Sequence, residues 1–304
     1  MSTSLSAAAL PAMVRSAFPE LAFTHTEIPG QGLDHAVVLL HGTAHGTLVA
    51  RAPHTAEYRA QAEVEAAVLA EVSTLTDVVL PEPVRTTGDG TLTVHTLVPG
   101  SPLDDTALAG AAENREVVNR QLGELLTALH TRDVTTAPFS AVEPWRRRGR
   151  CNTAPRSLPA KVALLRERAQ RLLPGALDQA SLTDVERIFT DMDTLLDPAR
   201  PARLIHSDLY DEHLLWDPER ERLGVIDFSD MNLGDPAVDF AHLPDPHGVL
   251  AHYRAGVDDD LLARAAIYRR WDAVYLLVDH LRTDRTPGDL AWSGFAAARA
   301  ELAE

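Results

Sequence analysis

Cysteine is almost missing from this chain: Cys151 stands alone among 304 residues, so no disulfide can form within it. Lysine is equally scarce, with Lys161 set against 27 arginines, and no Gly-Lys-Ser/Thr occurs anywhere. That excludes a Walker-type phosphate loop, whose lysine reaches the nucleotide phosphates. No apolar run approaches the ~18 residues of a membrane span, so no membrane partner is expected. The opening MSTSLSAAALPAM has neither a basic start nor an apolar core; no signal peptide is read, and the cytoplasm is the expected compartment. Basic charge is also in deficit. With 28 Lys and Arg against 44 Asp and Glu, the formal net charge of −16 disfavours nucleic acid as a partner, because that binding relies on neutralising phosphates.

What remains is a globular composition, 45% apolar and 24% charged. The length exceeds the ~250 to 300 residues at which one core stops growing, so two lobes are expected. Acid is unevenly placed: residues 205 to 260 hold 14 Asp or Glu against 3 Arg. A general solubility bias and a pocket for metal ions and a cationic substrate both explain that density.

The first hundred residues read as mostly strand with one helix. Apolar runs at 36–40 and 47–51, separated by HGTAHG, predict a hairpin turning on Gly42 and Gly46, with Gly30 and Gly32 just before it. A helical pattern runs from about Ala56 to Val72, with Val64, Val68 and Val72 on one stripe. Glu65 shares the face of Val68 and Leu69, where a carboxylate is expensive to bury, and so calls for a cationic partner. Residues 88–90, GDG, turn the chain into a strand at 92–94 that leads through His95 and Leu97 to the Pro99-Gly100 break. The lobe boundary is placed there, giving lobes 1–98 and 99–304. From Asp105 the chain turns helical, and Leu122, Leu125, Leu126 and Leu129 form one stripe. WRRRGR at 145–150 reads as a solvated basic loop.

The densest chemistry lies in LIHSDLYDEHLLWDPERERLGVIDFSDMNLGDPAVDFAHL, residues 204–243. Strands at 214–216 and 223–226, joined through an Asp-Pro turn, form an antiparallel hairpin, so His213 and Asp227 must lie at the same open end. Asp208 sits in the loop feeding that end. Two carboxylates and a third ligand at one strand mouth suit phosphoryl transfer, which needs Mg²⁺ on few protein ligands and an acid to accept a hydroxyl proton. Asp227 fits the metal and Asp208 the base, while His206 is better suited to bonding the loop.

HSDLYDEH, GVIDFSD and GDPAVDFAHL together resemble the aminoglycoside and macrolide phosphotransferase family, and the likeness extends weakly through QLGELLTALH. The resemblance implies an α+β, bilobal protein-kinase-like fold, with a small β-rich nucleotide lobe and a larger, mainly helical catalytic lobe. It implies Asp208 as catalytic base, His213 and Asp227 as Mg²⁺ ligands, and Asp235 and Asp239 as braces behind the loop. Arg51 would grip the nucleotide phosphates, paired with Glu65, while His95 and Leu97 belong to the hinge side of the nucleotide site. Two positions depart from the common pattern: His213 replaces Asn, and Arg51 replaces Lys, whose point charge a planar fork does not mimic. Arg51, Pro53 and Glu65, with Asp208, Leu209, Tyr210, His213 and Leu215, resemble the macrolide 2′-phosphotransferase branch, although some aminoglycoside 2″-phosphotransferases share the histidine. Both branches imply GTP as the favoured donor.

For the acceptor, the stripe Ile267, Trp271, Val274, Tyr275 and Val278 either lines a wall or packs on another helix. Asp230 is the expected contact for a substrate amine; Trp271 and Tyr275 are the expected substrate aromatics. Cys151 is read as inert, and His242 and His280 as structural. The Asp245–Asp260 acids cap helices or solvate a surface. A macrolide kinase that works as a monomer is the expectation, with an aminoglycoside kinase, a metal-dependent hydrolase using His206, Asp208, His213, Asp227 and His242 around zinc or a metal pair, and a silent member of the same fold as alternatives.

Overall fold

The computed structural model describes residues 6–29, 35–103, 112–142, 158–196, 201–256, 259–284 and 286–303. The expectations at Gly30, Gly32, Asp105, residues 145–150 and Cys151 lie outside them. Contacts divide the chain into two units. The first takes in Met1–Val142, Tyr210–Met231 and Gly248–Ala255, and the second Glu143–Leu209, Asn232–His247 and Gly256–Glu304. The α+β class expected from the sequence is present, with sheet toward the N-terminal part and helices toward the C-terminal part.

In the first unit, β1 (His25–Glu27), β2 (His35–Thr43), β3 (Gly46–Pro53), β4 (Pro83–Thr86) and β5 (Thr93–Thr96) form an antiparallel sheet of order β1-β2-β3-β5-β4. The predicted β2–β3 hairpin turns on Gly42 and Gly46, both at positive φ. Strand alternation sorts the side chains. Ala36, Val38, Leu40, Leu48, Ala50, Ala52, Leu92 and Val94 are buried together with Leu10 and Val14 of α1 (Leu10–Ala17). The opposite face sets Val37, Arg51 and Thr93 side by side across β2, β3 and β5, with Val49 opposite His95. Among the described residues of the first hundred there are two α-helices, α1 and α2 (Ala56–Val72), rather than the one expected. The eight residues of α1 hide in a stretch of small side chains; only Leu10 and Val14, one turn apart, mark its buried stripe.

Helix α3 (Ala112–His130) buries the predicted Leu122, Leu125, Leu126 and Leu129. Its buried Gln121 also anchors the second hairpin, accepting from the Leu223 amide at 2.7 Å and donating to the Glu221 carbonyl at 3.0 Å. Strand β6 (Ser101–Pro102) joins that hairpin, formed by β8 (Leu214–Asp217) and β9 (Arg222–Val225), which pairs Leu214 with Val225. The second unit packs α4 (Leu158–Leu172) and α5 (Gln179–Asp193) with α7 (Leu261–Thr283), and α8 (Gly288–Glu301) with α7; α6 (Pro246–His252) belongs to the first unit from Gly248 onward. Its only ladder among the described residues pairs β7 (Arg203–Ile205) with β10 (Asn232–Gly234). Trp271, Val274 and Val278 are buried, so most of the late stripe is helix core, whereas Tyr275 is 43% exposed.

The Pro99-Gly100 break has a steric cause. Gly100 has φ +115°, and a Cβ there would lie 2.8 Å from the Trp216 carbonyl of β8. Gly100→Ala is expected to destabilise the protein by about 2 kcal/mol or more, read as a lowered urea midpoint at unchanged m-value.

Candidate active site

The hairpin carries out what its antiparallel geometry requires. Leu214 faces Val225, and the Ile226 amide donates to the His213 carbonyl at 3.0 Å, so His213 and Asp227 flank one end. His213 Nε2 lies 3.9 Å from Asp227 Oδ2. Asp227 adopts the left-handed region, φ 64° and ψ 63°, which Asp tolerates better than bulkier residues but which still needs support from its surroundings. Ser229 supplies part of that support by donating its hydroxyl to Asp227 Oδ1 at 2.6 Å.

Arg51 reaches the same carboxylate from β3. Its Nη2 donates to Asp227 Oδ1 at 3.1 Å and its Nη1 to Glu65 Oε1 at 3.1 Å, with both Arg51 and Glu65 side chains nearly buried. The cationic partner demanded by the burial of Glu65 is thus Arg51. Burial pushes the Arg51 pKa down, but the Glu65 and Asp227 carboxylates raise it beyond its usual value. Burial likewise opposes the charge on Asp227, yet Arg51, the Ser229 hydroxyl and His213 hold its carboxyl well below the usual range. Asp227 is therefore ionised at any physiological pH. Two neutral histidines border this charge cluster. Burial, followed by the nearby Arg51 cation, lowers both His35 and His95 to about 3. His35 Nδ1 lies 3.4 Å from Arg51 Nη2.

A carboxylate and an imidazole 3.9 Å apart fit one small divalent ion, whose ligand distances of about 2.0 to 2.2 Å span such a gap. The depressed carboxyl keeps its oxygens available as ligands. Imidazole is the softer donor of the two, so His213 suits magnesium less well than the asparagine expected there.

Asp208 belongs to the second unit, two residues before the chain re-enters the first. Its loop is built locally. The His206 and Ser207 amides donate to the two oxygens of the fully buried Asp239 at 2.9 and 2.6 Å, and the Asp208 amide donates to His206 Nδ1 at 3.2 Å. Ser207 takes φ +75°, turning the chain sharply before Asp208. Asp239 braces this loop, as the resemblance implied. Asp235 caps the turn at Pro236–Phe240 and pairs with Arg264 of α7 at 2.9 Å. Arg264 also pairs with Asp260.

The structure places His95 buried on the Arg51 face of the sheet and Leu97 exposed just beyond β5. Trp271 and Tyr275 stack at 6.4 Å on α7. Asp230 meets the Tyr58 hydroxyl, which donates to its Oδ1 at 3.2 Å. His242 pairs with Asp272 at 3.4 Å, and His280 contacts the Thr286 carbonyl at 2.9 Å. Tyr58, Gln61, His35 and Ser229 escaped the sequence reading. A signal existed for two of them, because Tyr58 and Gln61 precede Glu65 by seven and four residues and so share its helical face.

Comparison with known proteins follows the same direction. The model of a family described as "Phosphotransferase enzyme family" matches residues 25–277. No curated protein matches the sequence. Among solved structures, the chain is similar to the GDP and kanamycin complex of APH(2″)-IIIa, with 23% identity over 96% of this chain and 98% of that one and a TM-score of 0.76. It is also similar to macrolide 2′-phosphotransferase MphH from Brachybacterium faecium, with 21% identity, coverage of 96% and 97%, and a TM-score of 0.63. The streptomycin–ATP complex of APH(2″)-IIa aligns at 15% identity, 96% and 95% coverage, and a TM-score of 0.66. These likenesses extend the shared fold across nearly the whole chain.

The buried neutral histidines give a pH signature. Between about pH 6.5 and pH 3 the unfolded chain binds protons at His35 and His95 that the folded chain refuses, so stability rises with pH across that window and is lost as pH falls. Each histidine contributes up to about 1.4 kcal/mol per pH unit. Urea denaturation at steps from pH 7 to pH 4 should show this slope, and His95→Leu should make it shallower.

Proposed function

The chain belongs to the phosphotransferase enzyme family, and from that premise we propose that it transfers the γ-phosphoryl of a nucleoside triphosphate to a sugar hydroxyl of an antibiotic. The observation that carries this reading is the largely buried guanidinium of Arg51 shared between Glu65 and Asp227. A fixed, always-charged cation beside an ionised carboxylate forms an electrostatic frame for a polyphosphate and its counter-ion. In this reading residues 1–98 form the nucleotide lobe and hinge, and 99–304 the catalytic and substrate lobe. Arg51 grips the phosphates, Glu65 orients Arg51, and His95 and Leu97 lie on the nucleoside side. His213 and Asp227 would hold Mg²⁺, which when bound neutralises charge on the phosphates. Asp208, held by the His206 and Ser207 turn, orients the acceptor hydroxyl and takes its proton.

A macrolide is the favoured acceptor and GTP the favoured donor. The Arg51, Pro53 and Glu65 spacing supports this, as does the loop containing Asp208, Tyr210 and His213. The exposed Tyr275 stacked on Trp271 offers an apolar aromatic surface suited to a lactone. An aminoglycoside is the second reading, favoured by the higher fold similarity to an aminoglycoside enzyme and by the acid-rich segment 205–260. A metal-dependent hydrolase is the weaker reading, because two of its five ligands are engaged elsewhere: His206 is buried as an acceptor for the Asp208 amide and His242 is paired with Asp272.

Purified protein incubated with Mg²⁺ and either ATP or GTP, against a panel of macrolides and aminoglycosides, should yield a product 80 Da heavier than one class of acceptor, the mass of one phosphoryl group replacing a proton on its hydroxyl (roughly). No mass gain on any member would remove the antibiotic reading. Asp208→Asn should fold normally and lose transfer by ~10²-fold or more; near-normal turnover would remove Asp208 from its role.

A further inference from the structure

Helix α2 carries more than Glu65 on the face that meets the Asp227 turn. Tyr58, Gln61 and Glu65, at offsets of three and seven residues, project from one side of the helix. Each reaches a different point of the Asp227–Met231 segment. Tyr58 Oη donates to Asp230 Oδ1 at 3.2 Å, Gln61 Nε2 donates to the Met231 carbonyl at 3.2 Å, and Glu65 acts through Arg51 on Asp227. Phe228, Ser229 and Met231 are buried, so the segment lies fastened along its length.

A left-handed aspartate costs free energy that its own chain does not repay, and it persists only where neighbours over-determine it. Ser229 supports the carboxylate from within the turn. At the far end of the turn the Met231 amide donates to the Phe228 carbonyl at 3.1 Å, and helix α2 adds Tyr58 on Asp230 and Gln61 on Met231. A tyrosine hydroxyl and a glutamine amide placed one turn apart on the same helical face, each spent on this one segment, form a two-point clamp.

Resting on the phosphotransferase reading for its catalytic readout, we propose that Tyr58 and Gln61 are positioning residues that fix the Asp227 carboxylate for its ion, and that Asp230 serves as the anchor of this clamp in place of contacting a substrate amine. Helix α2 thereby sets two things at once, the orientation of Arg51 and the conformation of the turn that bears Asp227. Any displacement of the helix changes both together.

The clamp is tested with Tyr58→Phe, which keeps the ring packed against His35 and removes only the hydroxyl. Asp230→Asn keeps an acceptor oxygen for that hydroxyl, and Asp230→Ala removes it. Hydrogen exchange of a peptide covering 227–231 in the nucleotide-free protein should accelerate in Tyr58→Phe and Asp230→Ala and stay near wild type in Asp230→Asn. In turnover, Tyr58→Phe and Asp230→Ala should each lower kcat and raise the Mg²⁺ concentration for half-maximal rate by about tenfold, the worth of one hydrogen bond to a charged group, with the antibiotic KM unchanged. Their double variant should be no worse than either single one, since both remove the same contact. Unchanged exchange in Tyr58→Phe would overturn the clamp, and so would an Asp230→Asn variant whose chief defect is a raised antibiotic KM. A wild-type protein without transferase activity would overturn the phosphotransferase reading alone, because the exchange measurement does not depend on turnover.

Discussion

One guanidinium sets the terms for the first unit. Arg51 is drawn from the sheet, Glu65 from the helix that follows it and Asp227 from the end of the second hairpin, far along the chain, and the three meet at two 3.1 Å ion pairs. Burying such groups has a large desolvation cost, which only good geometry with every partner present offsets. The arrangement is therefore intolerant of partial assembly: a missing carboxylate leaves a buried cation uncompensated, and a missing cation leaves two acids facing each other. Strand register brings Arg51 to the face opposite the α1-packed core, and helical periodicity brings Glu65 above it. Burial also drives His35 and His95 to their neutral forms beside the cation.

Rigid secondary structure presents the chemistry, and short strained turns aim it. Asp227 leaves β9 in a left-handed conformation, and Ser207 does the same just before Asp208. Each strained residue sits beside a dedicated brace. The Ser229 hydroxyl and the Arg51 fork support the first, while Asp239, buried and accepting two consecutive backbone amides, supports the second. Ser207 and Asp227 are two of the four described non-glycine residues at positive φ, and each is held there by hydrogen bonds with its neighbours.

Much of this was legible in the chain. The β2–β3 hairpin, the span of α2, the Leu122–Leu129 stripe and the 214–226 hairpin each carry a strong period or a turn residue, and each formed where its pattern placed it. Helix α1 and the short strands β1, β4 and β7 did not announce themselves, because three or four residues, or two apolar positions one turn apart, give too little periodicity to rise above neighbouring loops. Glu65 was conspicuous because a buried acid is costly. Tyr58 and Gln61 were not, because neither is costly on a helix surface until something is known to lie against it.

The sequence by itself determined the local rules: which faces are apolar, where the turns must fall, that one acid on α2 needed a cation, and that His213 and Asp227 would share a hairpin end, since antiparallel pairing leaves no other option. Only the tertiary structure decided who meets whom across long separations. That Arg51 would divide itself between Glu65 and Asp227, that Asp235 would turn to Arg264 while Asp239 held the loop, and that Tyr58 would occupy Asp230 are matters of packing. Side-chain partners 29 to 176 residues apart are chosen by the close fit of whole elements and by the need to satisfy each buried polar group, and no window of sequence contains that information.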